Sequence, residues 1–187
     1  MRIVAGEWKG RRLATAKGTT LRPTPERVRE AWMSILQVEL PGSRVLDLFA
    51  GTGALGLEAL SRGAGHSDFV ENDPRSVRTL LQNIHALGAA DRCTVHRAEA
   101  LAFASRLASS GPTPAAPHDA DARSHAPYDI CFADPPYRRG LAADLAAIWL
   151  AAPFSAIFGV EHASADTVPD GGDRRRYGDT AITIYRT

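Results

Sequence analysis

Asp134-Pro135-Pro136-Tyr137 follows the short apolar run Ile130-Cys131-Phe132-Ala133, so a carboxylate, two imide rings and a phenol arrive together at the end of a buried strand. Such a set suits alkylation of a planar amino group. In a base amine such as guanine N2 or adenine N6 the lone pair is conjugated into the ring, and the nitrogen becomes nucleophilic only when acceptors grip its protons as it pyramidalises. Asp134 and the Pro135 carbonyl supply two acceptors, Tyr137 offers a stacking face, and the prolines form a stiff rim without N–H donors. A Pro-Pro pair can also simply end a strand, so the tetrapeptide needs a second feature beside it.

That feature lies upstream. Val45-Leu46-Asp47-Leu48-Phe49-Ala50-Gly51-Thr52-Gly53-Ala54-Leu55-Gly56 reads as a strand, a glycine turn and a helix start running on through Glu58, Ala59 and Leu60. Gly51, Gly53 and Gly56 satisfy G-x-G-x-x-G, and Glu71 closes the next apolar segment, near the spacing of a ribose-binding acid. The pattern alone suggests NAD. Asp47 argues otherwise, because an acid four residues before the first glycine repels a pyrophosphate and attracts S-adenosyl-L-methionine, whose sulfonium and ammonium carry positive charge. A glycine turn that only lets a helix pack on a strand is the plainer reading, and it leaves Asp47 and Glu71 without a purpose.

The elements that must position these residues follow from periodicity. Thr24 can cap a helix with Pro25 at its first position and Val28, Trp32, Ile35 and Leu36 on one apolar stripe, ending near Pro41-Gly42. Strands are expected at 44–49, 67–71, 93–97, 128–133 and 156–160. Helices are expected from the glycine turn to about Arg62, after Asp73-Pro74 (Val77, Leu80, Leu81, Ile84, Leu87), over 100–108 and over 141–150. The end reads as a hairpin turning at Gly178-Asp179 with Ile182 and Ile184 inward. Residues 109–127, rich in Ser, Pro, Ala and Asp, cannot build a core and are expected to form a flexible insertion. The expected fold is α/β, Rossmann-like, with ligands at the carboxyl edges of adjacent strands.

The two motifs and their order resemble the RsmD family, bacterial methyltransferases that modify a guanine at N2 in 16S (small-subunit) ribosomal RNA. The likeness also covers Met1-Arg2-Ile3-Val4-Ala5-Gly6, Trp8-Lys9-Gly10-Arg11-Arg12-Leu13, Leu21-Arg22-Pro23-Thr24, Arg27-Val28-Arg29-Glu30 and Tyr177-Gly178-Asp179-Thr180, and so spans nearly the whole chain. The resemblance implies a class I methyltransferase domain at 23–187, with a seven-stranded, mostly parallel sheet and a C-terminal antiparallel hairpin. It implies S-adenosyl-L-methionine as cofactor and S-adenosyl-L-homocysteine as product. Asp134, Pro135 and Tyr137 would be the catalytic residues. Gly51 and Gly53 would approach the amino-acid part of the cofactor, with Phe49 in the same turn, and Asp47 would orient its ammonium directly or through water. Glu71 would accept from the ribose hydroxyls, Asn72 would flank the adenine, and Glu99 would read the adenine amino group, although it is longer than the usual residue there. Arg22 and Thr24 would close over the methionine end or touch the RNA backbone.

Charge is divided along the chain. The first 30 residues hold eight Lys/Arg against three acids, while the remaining 157 hold 14 against 18. A basic extension at 1–22 on a mildly acidic body fits a hairpin that grips RNA phosphates, with Trp8, Lys9, Arg11, Arg12 and Arg22 as contacts and Trp8 as a stacking surface. A basic hairpin whose Trp8 packs on the body is the structural alternative. The partner is expected to be 16S rRNA or a small-subunit assembly intermediate.

No apolar stretch approaches the ~20 residues needed to span a bilayer, and no apolar segment follows the basic N-terminus, so a cytoplasmic protein is expected. Cys93 and Cys131 are isolated from each other and from the six histidines, so they read as reduced core residues and no metal is expected. A single domain with a sizeable core fits 187 residues with 44% hydrophobic content; a monomer is expected, though composition does not fix the oligomeric state. A DNA adenine-N6 methyltransferase shares the tetrapeptide, but only the 19-residue insertion would be left to recognise its target. An NAD-dependent oxidoreductase conflicts with Asp47, and a non-catalytic RNA-binding module leaves Asp134 without a role.

Overall fold

The structure is a computed structural model that describes residues 1–15, 26–110, 126–137 and 140–187. Thr24, Pro25 and Arg22 lie outside the described residues, as does most of the 109–127 insertion.

Five helices and seven strands are described: α1 (Glu26–Ile35), β1 (Arg44–Leu48), α2 (Ala54–Ser61), β2 (His66–Val70), α3 (Pro74–Leu87), β3 (Cys93–His96), α4 (Ala100–Ser109), β4 (Tyr128–Ala133), α5 (Leu141–Ala151), β5 (Ser155–Ala163), β6 (Asp173–Tyr177) and β7 (Thr180–Arg186). They build one sheet in the order β3-β2-β1-β4-β5-β7-β6, parallel from β3 to β5 and antiparallel at β7 and β6. The order reverses between β1 and β4, and the cleft at that switch point is where open sheets bind ligands.

Local chemistry explains the elements. Asp73 caps α3 by accepting from Ser76 N at 2.8 Å, Pro74 occupies the first helical position, and Gly88 ends the helix at φ 68°. α1 buries Val28 and Trp32 against the sheet, and Leu36 just after it is buried too. The Trp32 ring meets Phe132 of β4 edge-on, with centroids 5.4 Å apart, and covers Gly159 of β5, where any Cβ would collide with the indole. α1 ends at Ile35, short of Pro41-Gly42, as the chain leaves the regular spiral in turns joining Leu36, Glu39 and Leu40. β5 runs to Ala163, beyond the Val160 expected from its apolar run, because Glu161 and His162 are themselves buried in the sheet.

Residues 1–15 are part of the body and not an appendage to it. Arg2 and Arg12 form an antiparallel bridge, and Ile3, Trp8 and Leu13 join the main core at 1%, 6% and 4% exposure. The fully buried Glu58 of α2 accepts from Val4 N and Ala5 N and pairs with Arg62 at 2.9 Å. Ser61 holds Trp8 N and the Ala5 carbonyl. Further along, buried Asn83 of α3 accepts from Ala14 N and donates to the Ala14 carbonyl and to the Thr52 carbonyl in the glycine turn, all within 3.1 Å. One amide therefore joins the N-terminal segment to the turn beside the cleft.

Candidate active site

β1 and β4 are direct neighbours, with Asp47 opposite Phe132 and Leu48 opposite Ala133. The chains leave the sheet side by side, one into Phe49 and the glycine turn and the other into Asp134. Phe49 takes φ 61°, a left-handed conformation costly for a bulky residue and concentrated at functional turns. Gly51 follows at φ 56°, and a Cβ there would meet nothing nearer than the Phe49 carbonyl at 3.9 Å. That side of the turn is open. Gly53 and Gly56 serve packing instead, since a Cβ would strike Leu80 at the first and Phe69 and Ser67 at the second. The absence of a side chain at Gly53 is thus also required by Leu80, which packs where a Cβ would stand.

Three carboxylates line this edge. Asp47 is buried and its Oδ2 accepts from Gly56 N at 2.9 Å. Burial raises its pKa from 3.8 to about 7; the Gly56 N–H opposes the rise, and the charges of Asp134 and Glu71 add to it. Glu71 accepts Gly51 N and Asp73 N, each at 2.8 Å and on separate oxygens, leaving a further acceptor direction on each. The Gly51 N–H that a phosphate-binding turn would present is already taken by an acid, and this arrangement opposes a pyrophosphate and suits a cationic ligand. Asn72 is exposed beside Glu71. Glu99 is exposed at the N-cap of α4, where one oxygen accepts from Ala102 N at 2.7 Å.

On the β4 side, Pro135 is buried and Tyr137 is 38% exposed. The phenol donates to Glu161 Oε1 at 2.7 Å and lies 2.9 Å from Thr180 Oγ1. Pro135, Pro136, Tyr137, Leu141, Glu161 and His162 contribute to the walls of a cavity of about 270 Å³. Glu161 and Thr180 were not legible as site residues in the sequence. The only signal is an acid continuing the strand that ends Ile157-Phe158-Gly159-Val160.

The expected RNA contacts divide. Lys9, Arg11 and Arg12 are exposed, whereas Trp8 is buried with the Arg92 guanidinium over its ring at 4.8 Å, so it is a core residue and not a free stacking surface. Arg11 bonds the Ala86 carbonyl in the last turn of α3. Arg22 lies outside the described residues. Among the described residues no group of three His, Cys, Asp or Glu could hold a metal ion, and no helix is long and apolar enough to cross a membrane.

Sheet order, terminal hairpin and a cleft lined by acids and glycines define the class I methyltransferase fold. Within that class the chain belongs to the family described as conserved hypothetical protein 95, the RsmD family, whose model matches residues 1–186. The ribosomal RNA small subunit methyltransferase D of Escherichia coli strain K12 is 38% identical over 141 residues, covering 75% of this chain and 62% of that protein. The chain thus spans less than two thirds of that curated relative's length. Among solved structures, a hypothetical protein from Thermus thermophilus superposes with a TM-score of 0.81 at 30% identity, covering all of this chain and 99% of its own. A putative methyltransferase, yhhF, of Escherichia coli gives 0.77 at 31%, covering 100% and 97%.

Proposed function

We propose that the chain is an S-adenosyl-L-methionine-dependent methyltransferase acting on the exocyclic N2 amine of a guanine in 16S ribosomal RNA, as naked RNA or in an assembling small subunit. The observation that carries this reading is the meeting of Asp47 and Asp134 at the edges of β1 and β4, close enough for one charge to raise the other's pKa. The printed name of the Escherichia coli relative supports the RNA, and the family resemblance supports guanine N2.

The cleft suits the cofactor. Its excess of carboxylate favours a sulfonium and an ammonium, and Gly51 leaves room for the amino-acid part. Asp47 holds the ammonium, Glu71 the ribose hydroxyls, Asn72 and Glu99 flank the adenine, and Phe49 shapes the turn. When bound, S-adenosyl-L-methionine supplies an electrophilic methyl group. Asp134 and the Pro135 carbonyl accept hydrogen bonds from the two N–H groups of the amine, aligning its lone pair with that methyl; one proton passes to Asp134 as the new N–C bond forms and the S–C bond breaks, and Tyr137 stacks on the base. Asp134 need not be a strong base at the outset, because the amine becomes acidic only as the new bond forms. Lys9, Arg11 and Arg12 hold RNA phosphates. The protein acts as a monomer in the cytoplasm.

Replacement Asp134→Ala is expected to leave S-adenosyl-L-homocysteine affinity nearly unchanged while single-turnover methyl transfer falls by roughly 100-fold or more, the loss typical of one transition-state acceptor. Transfer at the wild-type rate in that variant refutes the assignment. Mass mapping of 16S rRNA from a strain lacking the protein tests the nucleotide.

A further inference from the structure

Glu161 stands apart from the residues used above. It lies on β5, one position beyond Val160, the partner of Ala133, so its carboxyl group enters the sheet beside Asp134. It is 2% exposed, and its Oε2 has no hydrogen-bond partner among the described residues. The Trp32 indole N–H helps to stabilise its charge, yet the two do not close to hydrogen-bonding geometry, Trp32 Nε1 being without a partner as well. An unsatisfied acid in a central strand destabilises the fold relative to an apolar residue of like size. The closed hydrogen bond Glu161 does make goes to the hydroxyl of Tyr137, a half-exposed side chain on the cavity rim, and Thr180 of β7 meets the same hydroxyl.

Resting on the reading of Tyr137 as the surface on which the target base stacks, we propose that Glu161 is a positioning residue: it pins the Tyr137 ring, with Thr180 as second anchor, in the orientation that sets the base against Asp134. The cost of burying the acid is thereby tied to the alignment of a rim residue. Burial, and after it the charge of Asp134, raises the Glu161 carboxyl from 4.5 to about 8, so at neutral pH it is mostly protonated and adds little charge against Asp134 while still accepting from Tyr137. Tyr137, Thr180, Trp32 and the neighbouring His162 complete the polar groups around it, and His162 turns its ring nitrogens to Thr183 and the Ala163 carbonyl.

The test combines ring mobility with kinetics. Protein labelled with 3-fluorotyrosine gives four ring signals, one per tyrosine, and Tyr137→Phe assigns the relevant one by its loss. In Glu161→Ala that signal is expected to shift and narrow, while Glu161→Gln, which keeps an acceptor, resembles wild type. Thr180→Val should move the signal in the same direction and by less. With RNA as substrate, Glu161→Ala is expected to lose about 10- to 100-fold in kcat through misalignment, with S-adenosyl-L-homocysteine affinity unchanged, and to lose nothing further when placed in Tyr137→Phe. An unmoved fluorine signal in Glu161→Ala overturns the proposal, as does a glutamine variant as poor as the alanine one, or a full additional loss in the Tyr137→Phe background. Should Glu161→Ala not fold, the glutamine and Thr180→Val variants decide by the same readings. If wild-type protein transfers no methyl group to RNA, the substrate reading fails, while the fluorine signals still decide the role of Glu161.

Discussion

Asp47 is the acid whose protonation a ligand in the cleft would alter most directly. With a folded-state pKa of about 7 against an ordinary 3.8, it is about half protonated at neutral pH. A cation beside it would favour the carboxylate, so S-adenosyl-L-homocysteine, which keeps the ammonium, is expected to release a fraction of a proton on binding at pH 7. Calorimetry in two buffers of different ionisation enthalpy measures that release, and identical heats would argue against contact between Asp47 and the ammonium. The same shift acts on stability. Because the folded value lies above the unfolded one, the contribution of protonated Asp47 is complete below about pH 4 and is lost as pH rises through about 7. Glu161 behaves alike between 4.5 and about 8. Thermal unfolding of Asp47→Asn and Glu161→Gln should therefore show a gain over wild type at pH 8 that shrinks toward pH 5.

Among the elements, α2 shows how closely helix and strand approach at the glycine turn. Gly56 faces Phe69 and Ser67 of β2, and a Cβ would come within 2.4 Å of the Phe69 ring. Gly56→Ala should destabilise the protein by about 1–3 kcal/mol through overpacking, measurable as a lower urea midpoint at unchanged slope. The order of strands and helices was legible because each carried its own period or cap, as in Asp73-Pro74 before α3 and the turn at Gly178 between β6 and β7. The glycine corner and the tetrapeptide were legible too, since their residues are contiguous in sequence. What escaped was assembled across strands. Glu161 fell just beyond the strand expected at 156–160, and only the pairing with β4 and β7 brings it to Tyr137 and Thr180. Trp8 misled for the same reason: its basic neighbours suggested an exposed ring, whereas the seat against Ser61 and Arg92 comes from α2 and from the segment after α3.

Across the whole molecule, the segment that carries Lys9, Arg11 and Arg12 is tied to the turn beside the acid cleft by Asn83, which bonds both Ala14 and Thr52. On α3, Ala86, which Arg11 bonds, lies one turn beyond Asn83. An RNA whose base enters the cleft could meet these cations with its backbone. Lys9→Glu together with Arg12→Glu should accordingly raise KM for RNA and reduce its salt dependence by about one unit of log–log slope per phosphate contact removed, leaving kcat and S-adenosyl-L-homocysteine affinity unchanged. A change confined to kcat would place these residues elsewhere in the mechanism. The amide of Asn83, shared between Ala14 and Thr52, sets a limit for protein engineers. A shortened variant starting at residue 23 would strip Asn83 of two of its three bonds and bare the surfaces that Ile3, Trp8 and Leu13 now cover. The smallest working unit must therefore keep the segment that holds Ile3, Trp8, Leu13 and Ala14.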